Sequence, residues 1–185
     1  MAATRRMTLM EFLAIPEEAP YSEFVNGEIW VKPMPGPLHS SAVVELLRLI
    51  ANQVHGSRRV RVDTELRHVE SEEDRVYLPD ISVTLLERFP AEQRRGPIEV
   101  HPDFAIEVLS PDDRADRVQN KVQFYLRSGV SVVWVVDPDY ETITVYRPDG
   151  PPREFRGEET VAAEPVLRGF ALTPGAFFAA IAGAA

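Results

Sequence analysis

No cysteine occurs in the 185 residues. That absence removes disulfides, thiolate nucleophiles and cysteine zinc sites, and it fits a reducing compartment. Histidine is scarce too: His39, His55, His68 and His101 show no paired zinc-ligand spacing. Any metal is then expected to be a hard ion held by oxygens. No apolar run approaches the length of a membrane crossing, and residues 1–10 lack a signal-peptide core, so the expected location is cytoplasmic. Basic residues are in deficit. Lys and Arg number 20 against 29 Asp and Glu, a net charge of −9. Indiscriminate nucleic-acid binding is disfavoured on that ground, because its affinity comes mostly from phosphate neutralisation. A local basic patch or a bound divalent ion would offset the acidity. There is also no G-x-S-x-G elbow, P-loop or dinucleotide fingerprint.

What remains is an ordinary globular composition, 44% hydrophobic and 26% charged. The length suits a single domain over residues 1–185 with a sizeable core. Residues 103–110, DFAIEVLS, read as a buried strand carrying one carboxylate. Phe104, Ile106 and Val108 alternate onto one face, which leaves Ala105, Glu107 and Leu109 on the other. A carboxylate among apolar neighbours needs a cation, donors or a metal. Residues 78–85, LPDISVTL, offer its companion: Ile81, Val83 and Leu85 face one way, Asp80, Ser82 and Thr84 the other. If both strands turn their apolar faces to one core, Asp80 and Glu107 share the opposite side.

The flanking chain alternates strands and helices. Residues 7–15 read as a short helix with a Thr8/Glu11 capping box. Asn26-Gly27 marks a hairpin within residues 21–31, where spacing alone makes Glu23 a solvated strand residue. A helix is expected over residues 40–54, capped by Ser40 and ended by Gly56, with His39 just before its start as a structural group. Residues 57–70 read as one or two strands. Their Arg58, Arg59 and Arg61 form either a solvated edge or a phosphate-facing stripe. Residues 87–102 read as a loop, with Arg88, Arg94 and Arg95 either at substrate or at the surface.

Residues 110–113 are expected to cap a helix that runs to about residue 128, closed by Gly129. Its stripe is Val118, Val122, Tyr125 and Leu126, with Lys121 at the margin of the inward face. The apolar run 131–137 is a strand buried on both faces, joined to residues 103–110 by a right-handed parallel crossover. Residues 142–147 form the outer arm of a hairpin. Two short strands (153–155 and 160–166) and a small helix (174–182) complete the chain.

Asp80, Glu107 and Lys121 are the constellation with chemistry in it. Phosphodiester hydrolysis needs a charge sink, a polarised water and a stabilised leaving oxygen. Mg2+ or Mn2+ on Asp80 and Glu107, with the Val108 carbonyl as a further oxygen, supplies most of this. A lysine nearby orients or activates the water. A sugar hydrolase would need the two acids and no lysine, but no aromatic platform surrounds them.

The motifs Glu23-Phe-Val-Asn-Gly-Glu28, His39, Pro79-Asp80, Ile106-Glu-Val-Leu-Ser-Pro111, Lys121 with Tyr125 and Gly129-Val130, and Trp134-Val-Val-Asp-Pro138 run through most of the chain. Together they resemble the PD-(D/E)XK nuclease superfamily, and within it the Uma-type family of putative restriction endonucleases. The resemblance implies an α/β restriction-endonuclease-like fold: a mixed central sheet flanked by helices, here with an added N-terminal hairpin and C-terminal strands. It implies metal-dependent cleavage of DNA with Asp80 and Glu107 as ligands, Glu23 as an additional catalytic acid and His39 as an accessory group. It also implies a homodimer, since nucleases of this architecture commonly cut both strands as pairs. The superfamily's Glu-X-Lys would place lysine at position 109, which is Leu109 here; the lysine matches Lys121 on the following helix instead. A catalytically inactive module on the same fold, binding nucleic acid or protein, is the competing reading.

Overall fold

The computed structural model describes residues 6–55, 59–89 and 96–183. Its backbone is a six-stranded mixed sheet with helices on both faces, joined to a smaller four-stranded sheet. A short helix, α1 (Leu9–Leu13), opens with the expected capping box: Thr8 accepts from the Glu11 amide while Glu11 accepts from the Thr8 amide. The hairpin β1 (Ser22–Val25) and β2 (Glu28–Val31) turns at Asn26 and Gly27, whose φ values of 51° and 88° are those a two-residue primed turn demands. A Cβ at Gly27 would also lie 2.8 Å from the Arg6 side chain.

The helix α2 (Pro37–Val54) starts three residues before the expected residue 40. Its cap is Gly36, with Pro37 at the first turn, because proline's fixed φ and missing N–H suit a helix start. Ser40 is therefore inside the helix, and His39 lies in its first turn rather than ahead of it. Gly56 and Arg58 lie outside the described residues. Two short strands follow, β3 (Val60–Asp63) and β4 (His68–Glu70), then β5 (Arg75–Tyr77), β6 (Ile81–Leu85) and β7 (Phe104–Val108). A second long helix, α3 (Ala115–Arg127), leads to β8 (Val132–Asp137), β9 (Thr142–Tyr146) and β10 (Arg153–Phe155). The chain closes with β11 (Val161–Ala162), β12 (Ala171–Leu172) and α4 (Pro174–Ile181).

The large sheet has the order β10-β9-β8-β7-β6-β3, and the small one β2-β1-β5-β4. β7 and β8 are parallel across α3, as the single-helix crossover requires, and every other named pair is antiparallel. Alternation sorts the two faces. Ile81, Val83, Phe104, Ile106, Val108 and Trp134 pack with Ala42, Leu46 and Ile50 of α2 and with Phe177 and Phe178 of α4. Ala105, Val133 and Val135, on the opposite face, pack under Val122, Phe124 and Tyr125 of α3. Phe124 sits outside the stripe expected for α3. It is buried because Tyr77 of the small sheet reaches over to pack against it, ring centroids 4.7 Å apart and tilted by 46°, a partner the helix period does not reveal.

Of the expected basic stripe, Arg61 is paired within the fold. Arg61 is held by Asp63 at 2.7 Å and lies over the Phe89 ring. Arg88 is bound to Asp103 rather than offered to a ligand, while Arg94 and Arg95 fall outside the described residues. Among the described residues no helix is long and apolar enough to cross a membrane.

Candidate active site

The two strand carboxylates do meet. β6 and β7 pair with Ile81 opposite Ile106, and the same register carries Asp80 opposite Glu107. Asp80 stands where the chain leaves the small sheet after β5 and enters the large one, and its Oδ2 accepts from the Val108 amide at 2.7 Å. That bond ties one acid to the strand that bears the other. Both residues are buried, at 3% and 5% exposure, and both line a cavity of about 300 Å³.

Lys121 and Tyr125 lie one helical turn apart on α3 and therefore point to the same spot. Lys121 Nζ donates to Glu107 Oε2 at 2.6 Å, and the Tyr125 hydroxyl donates to Oε1 at 2.7 Å. Glu23 completes this half of the site. Far from being solvated, it is 4% exposed. The hairpin folds over the α3 face and sets Glu23 Oε1 2.7 Å from Lys121 Nζ and 3.1 Å from the Leu78 amide, which donates to it.

The other half contains two residues that sequence reasoning missed. Lys32, just past β2, donates to Asp80 Oδ1 at 2.8 Å, to the Leu78 carbonyl at 2.8 Å and to Glu65 Oε2 at 2.7 Å. Glu65 adopts φ 51°, an uncommon conformation for a non-glycine residue, and its amide is bonded to the Pro79 carbonyl. Nothing in the local pattern marks either one; a lysine beside a proline-rich connector reads as surface. His39 Nε2 stands 3.4 Å from Asp80 Oδ2, and its Nδ1 has no partner among the described residues.

Charge follows from this geometry. Burial penalises an ionised Asp80, but Lys32 and His39 outweigh it and hold the carboxyl well below the usual range. Glu107 goes the other way: burial pushes it up to about 7, with Lys121 opposing and Asp80 and Glu23 adding repulsion. Burial raises Glu65 as well. Lys121 would lose its proton more readily through burial alone, yet Glu107 and Glu23 raise it well above the ordinary lysine value. Four carboxylates thus crowd around two ammonium groups and one histidine, and the balance is negative.

That donor set suits a hard divalent cation. It is rich in carboxylate oxygen and short of positive charge. Among the described residues no three His, Asp or Glu side chains form a ready-made cage. Mg2+ does not need one, since it is commonly held by one or two carboxylates and keeps positions for water and phosphate. Asp80 and Glu107 are the pair that would hold it.

A family model described as "Uma2: Putative restriction endonuclease" matches residues 9–175. The chain belongs to the Uma2 family. Its fold is also that of a solved structure, a putative nuclease belonging to DUF820 from Anabaena variabilis ATCC 29413. The two are 33% identical over 95% of this chain and 99% of the other, with a TM-score of 0.85. No curated protein matches the chain. The mixed sheet flanked by helices is thus a restriction-endonuclease-like architecture, shared with that putative nuclease. The cavity of this Uma2 protein is rimmed by Trp30, Arg114 and Arg117, the last with its guanidinium over the Trp30 ring at 5.0 Å.

Proposed function

We propose that this Uma2 protein is a metal-dependent endonuclease that hydrolyses phosphodiester bonds of DNA. One observation carries the reading: Asp80 and Glu107, 27 residues apart in sequence, are opposed across two buried strands in a cavity where acids outnumber cations. Asp80, Glu107 and the Val108 carbonyl are the proposed ligands for Mg2+ or Mn2+. When bound, such an ion supplies Lewis acidity and an acidified water.

The chain's own residues do the rest. Lys121 is held protonated by two acids, so it serves as a donor and charge rather than as a base; it orients the attacking water and stabilises charge developing on phosphate. Tyr125 and Lys121 together fix the Glu107 carboxylate in one rotamer. Glu23 keeps Lys121 in place, and His39, 3.4 Å from Asp80 Oδ2, is the accessory group that would give a proton to the leaving oxygen. Arg117 at the rim, stacked over Trp30, is suited to phosphates that the acidic interior would otherwise repel, whereas Arg114 is held by Asp116 at 2.8 Å. We further propose a cytoplasmic homodimer in which each copy cuts one strand.

The test is incubation of purified protein with plasmid, single-stranded DNA and RNA, with Mg2+ or Mn2+ and with EDTA. DNA cleavage that EDTA stops, and that falls by roughly 10²–10⁴-fold in Asp80→Asn and Lys121→Ala, is expected. Cleavage at wild-type rate in either folded variant would refute these roles. No cleavage and no Mn2+ binding would instead leave the non-catalytic binding module.

A further inference from the structure

We propose that Lys32 is a built-in cation that confines this site to a single divalent ion, bound on the Glu107 side of Asp80. The inference rests on the metal-dependent reading above. Nuclease centres with two ions hold them about 3.5–4 Å apart and share a carboxylate between them. Asp80 is the carboxylate placed to be shared, because its two oxygens face different surroundings. Oδ2 looks toward β7, where it takes the Val108 amide at 2.7 Å, and Glu107 stands opposite. Oδ1 looks away and is taken by Lys32 Nζ at 2.8 Å.

The remaining contacts of Lys32 are those a second ion would want. Its ammonium donates to Glu65 Oε2 at 2.7 Å and to the Leu78 carbonyl at 2.8 Å. Two carboxylate oxygens and one carbonyl are hard oxygen donors, and three acceptors use all three ammonium protons. The lysine is anchored at both ends. Its backbone amide is bonded to the Tyr21 carbonyl at 2.8 Å, and its side chain is only 14% exposed. Glu65 is fixed to the same 78–80 segment through its own amide on the Pro79 carbonyl at 3.2 Å. The ammonium therefore occupies a preformed oxygen pocket next to the candidate metal ligands. It supplies one positive charge at the place where a two-metal centre would put two.

The experiment is a count of bound Mn2+ per full-length chain, by electron paramagnetic resonance of free Mn2+ and by calorimetry, without nucleic acid. Wild type is expected to bind one ion. Lys32→Arg, which keeps the charge, should also bind one. Lys32→Met should bind two, and adding Glu65→Gln should return the count to one. Two ions on wild type would overturn the inference and leave the nuclease reading standing, as would one ion on Lys32→Met with wild-type circular dichroism. No ion on wild type would overturn the nuclease reading itself, and this inference with it. If Lys32→Met fails to fold, Lys32→Gln takes its place with the same expected count of two, and one ion on that folded variant would overturn the inference.

Discussion

Replacing Lys121 by methionine removes the cation that, among the described residues, touches both Glu107 and Glu23, at 2.6 and 2.7 Å. At an effective dielectric constant of about 20, each contact at such separations amounts to roughly 6 kcal/mol before desolvation is counted. Breaking a buried pair by deleting one partner typically costs about 3–5 kcal/mol net, because a charge is left uncompensated. Glu107 can escape part of that cost by taking up a proton, and this makes the loss depend on pH. In the wild type burial holds Glu107 up to about 7 against the pull of Lys121. An acid whose folded pKa lies above its unfolded value stabilises the fold at low pH and loses that stability as pH rises toward the folded pKa. Wild type and Lys121→Met should therefore fall in parallel between about pH 4.5 and 7. Above 7 the wild-type contribution has levelled off, whereas the variant, with its Glu107 pKa higher still, keeps losing about 1.4 kcal/mol per pH unit. Urea unfolding of both proteins in EDTA at pH 6, 7, 8 and 9 measures the gap directly. A gap that stays constant, or narrows, above pH 7 would refute the claim that Lys121 is the counter-ion of a buried, reluctant carboxylate.

Other outcomes follow from the rest of the fold. His68 is buried, with Nδ1 against the Val100 carbonyl at 2.7 Å and Nε2 unpartnered among the described residues. Burial depresses it to about 4, so wild type should lose roughly 3 kcal/mol as pH falls from about 6.5 through 4, and His68→Gln should flatten that acid limb in thermal melts. Leu46→Ala opens a cavity in the fully buried layer between α2 and the sheet, and a loss of about 2–5 kcal/mol in chemical denaturation is expected. Gly27→Ala forces a side chain into φ 88° and against Arg6, so a melting temperature lowered by several degrees, about 1–2 kcal/mol, should be seen.

Alternation and spacing carried much of the site. A period of two put Glu107 and Asp80 on the faces opposite Ile106 and Ile81, and the sheet register then made them neighbours. The helical period likewise put Lys121 and Tyr125 on one side of α3, and both reach Glu107. These relations are local rules applied to single elements, so they survive whatever the chain does elsewhere. The motifs that resemble a nuclease family pointed the same way, and the family match over residues 9–175 agrees with them.

What single elements could not tell was the company each charge keeps. Glu23 alternates like any edge residue, and only the folding of the small sheet over α3 buries it beside Lys121. Lys32 and Glu65 lie in connecting segments with no period at all, yet Lys32 reaches the Asp80 carboxylate from 48 positions away and binds Glu65 with the same ammonium. Arg61 and Arg88 looked available until Asp63 and Asp103 claimed them. Strand and helix faces are set by backbone geometry one residue at a time and so are written in the sequence. The pairing of buried charges depends on which loops close on which, a long-range property that exists only once the sheets have packed.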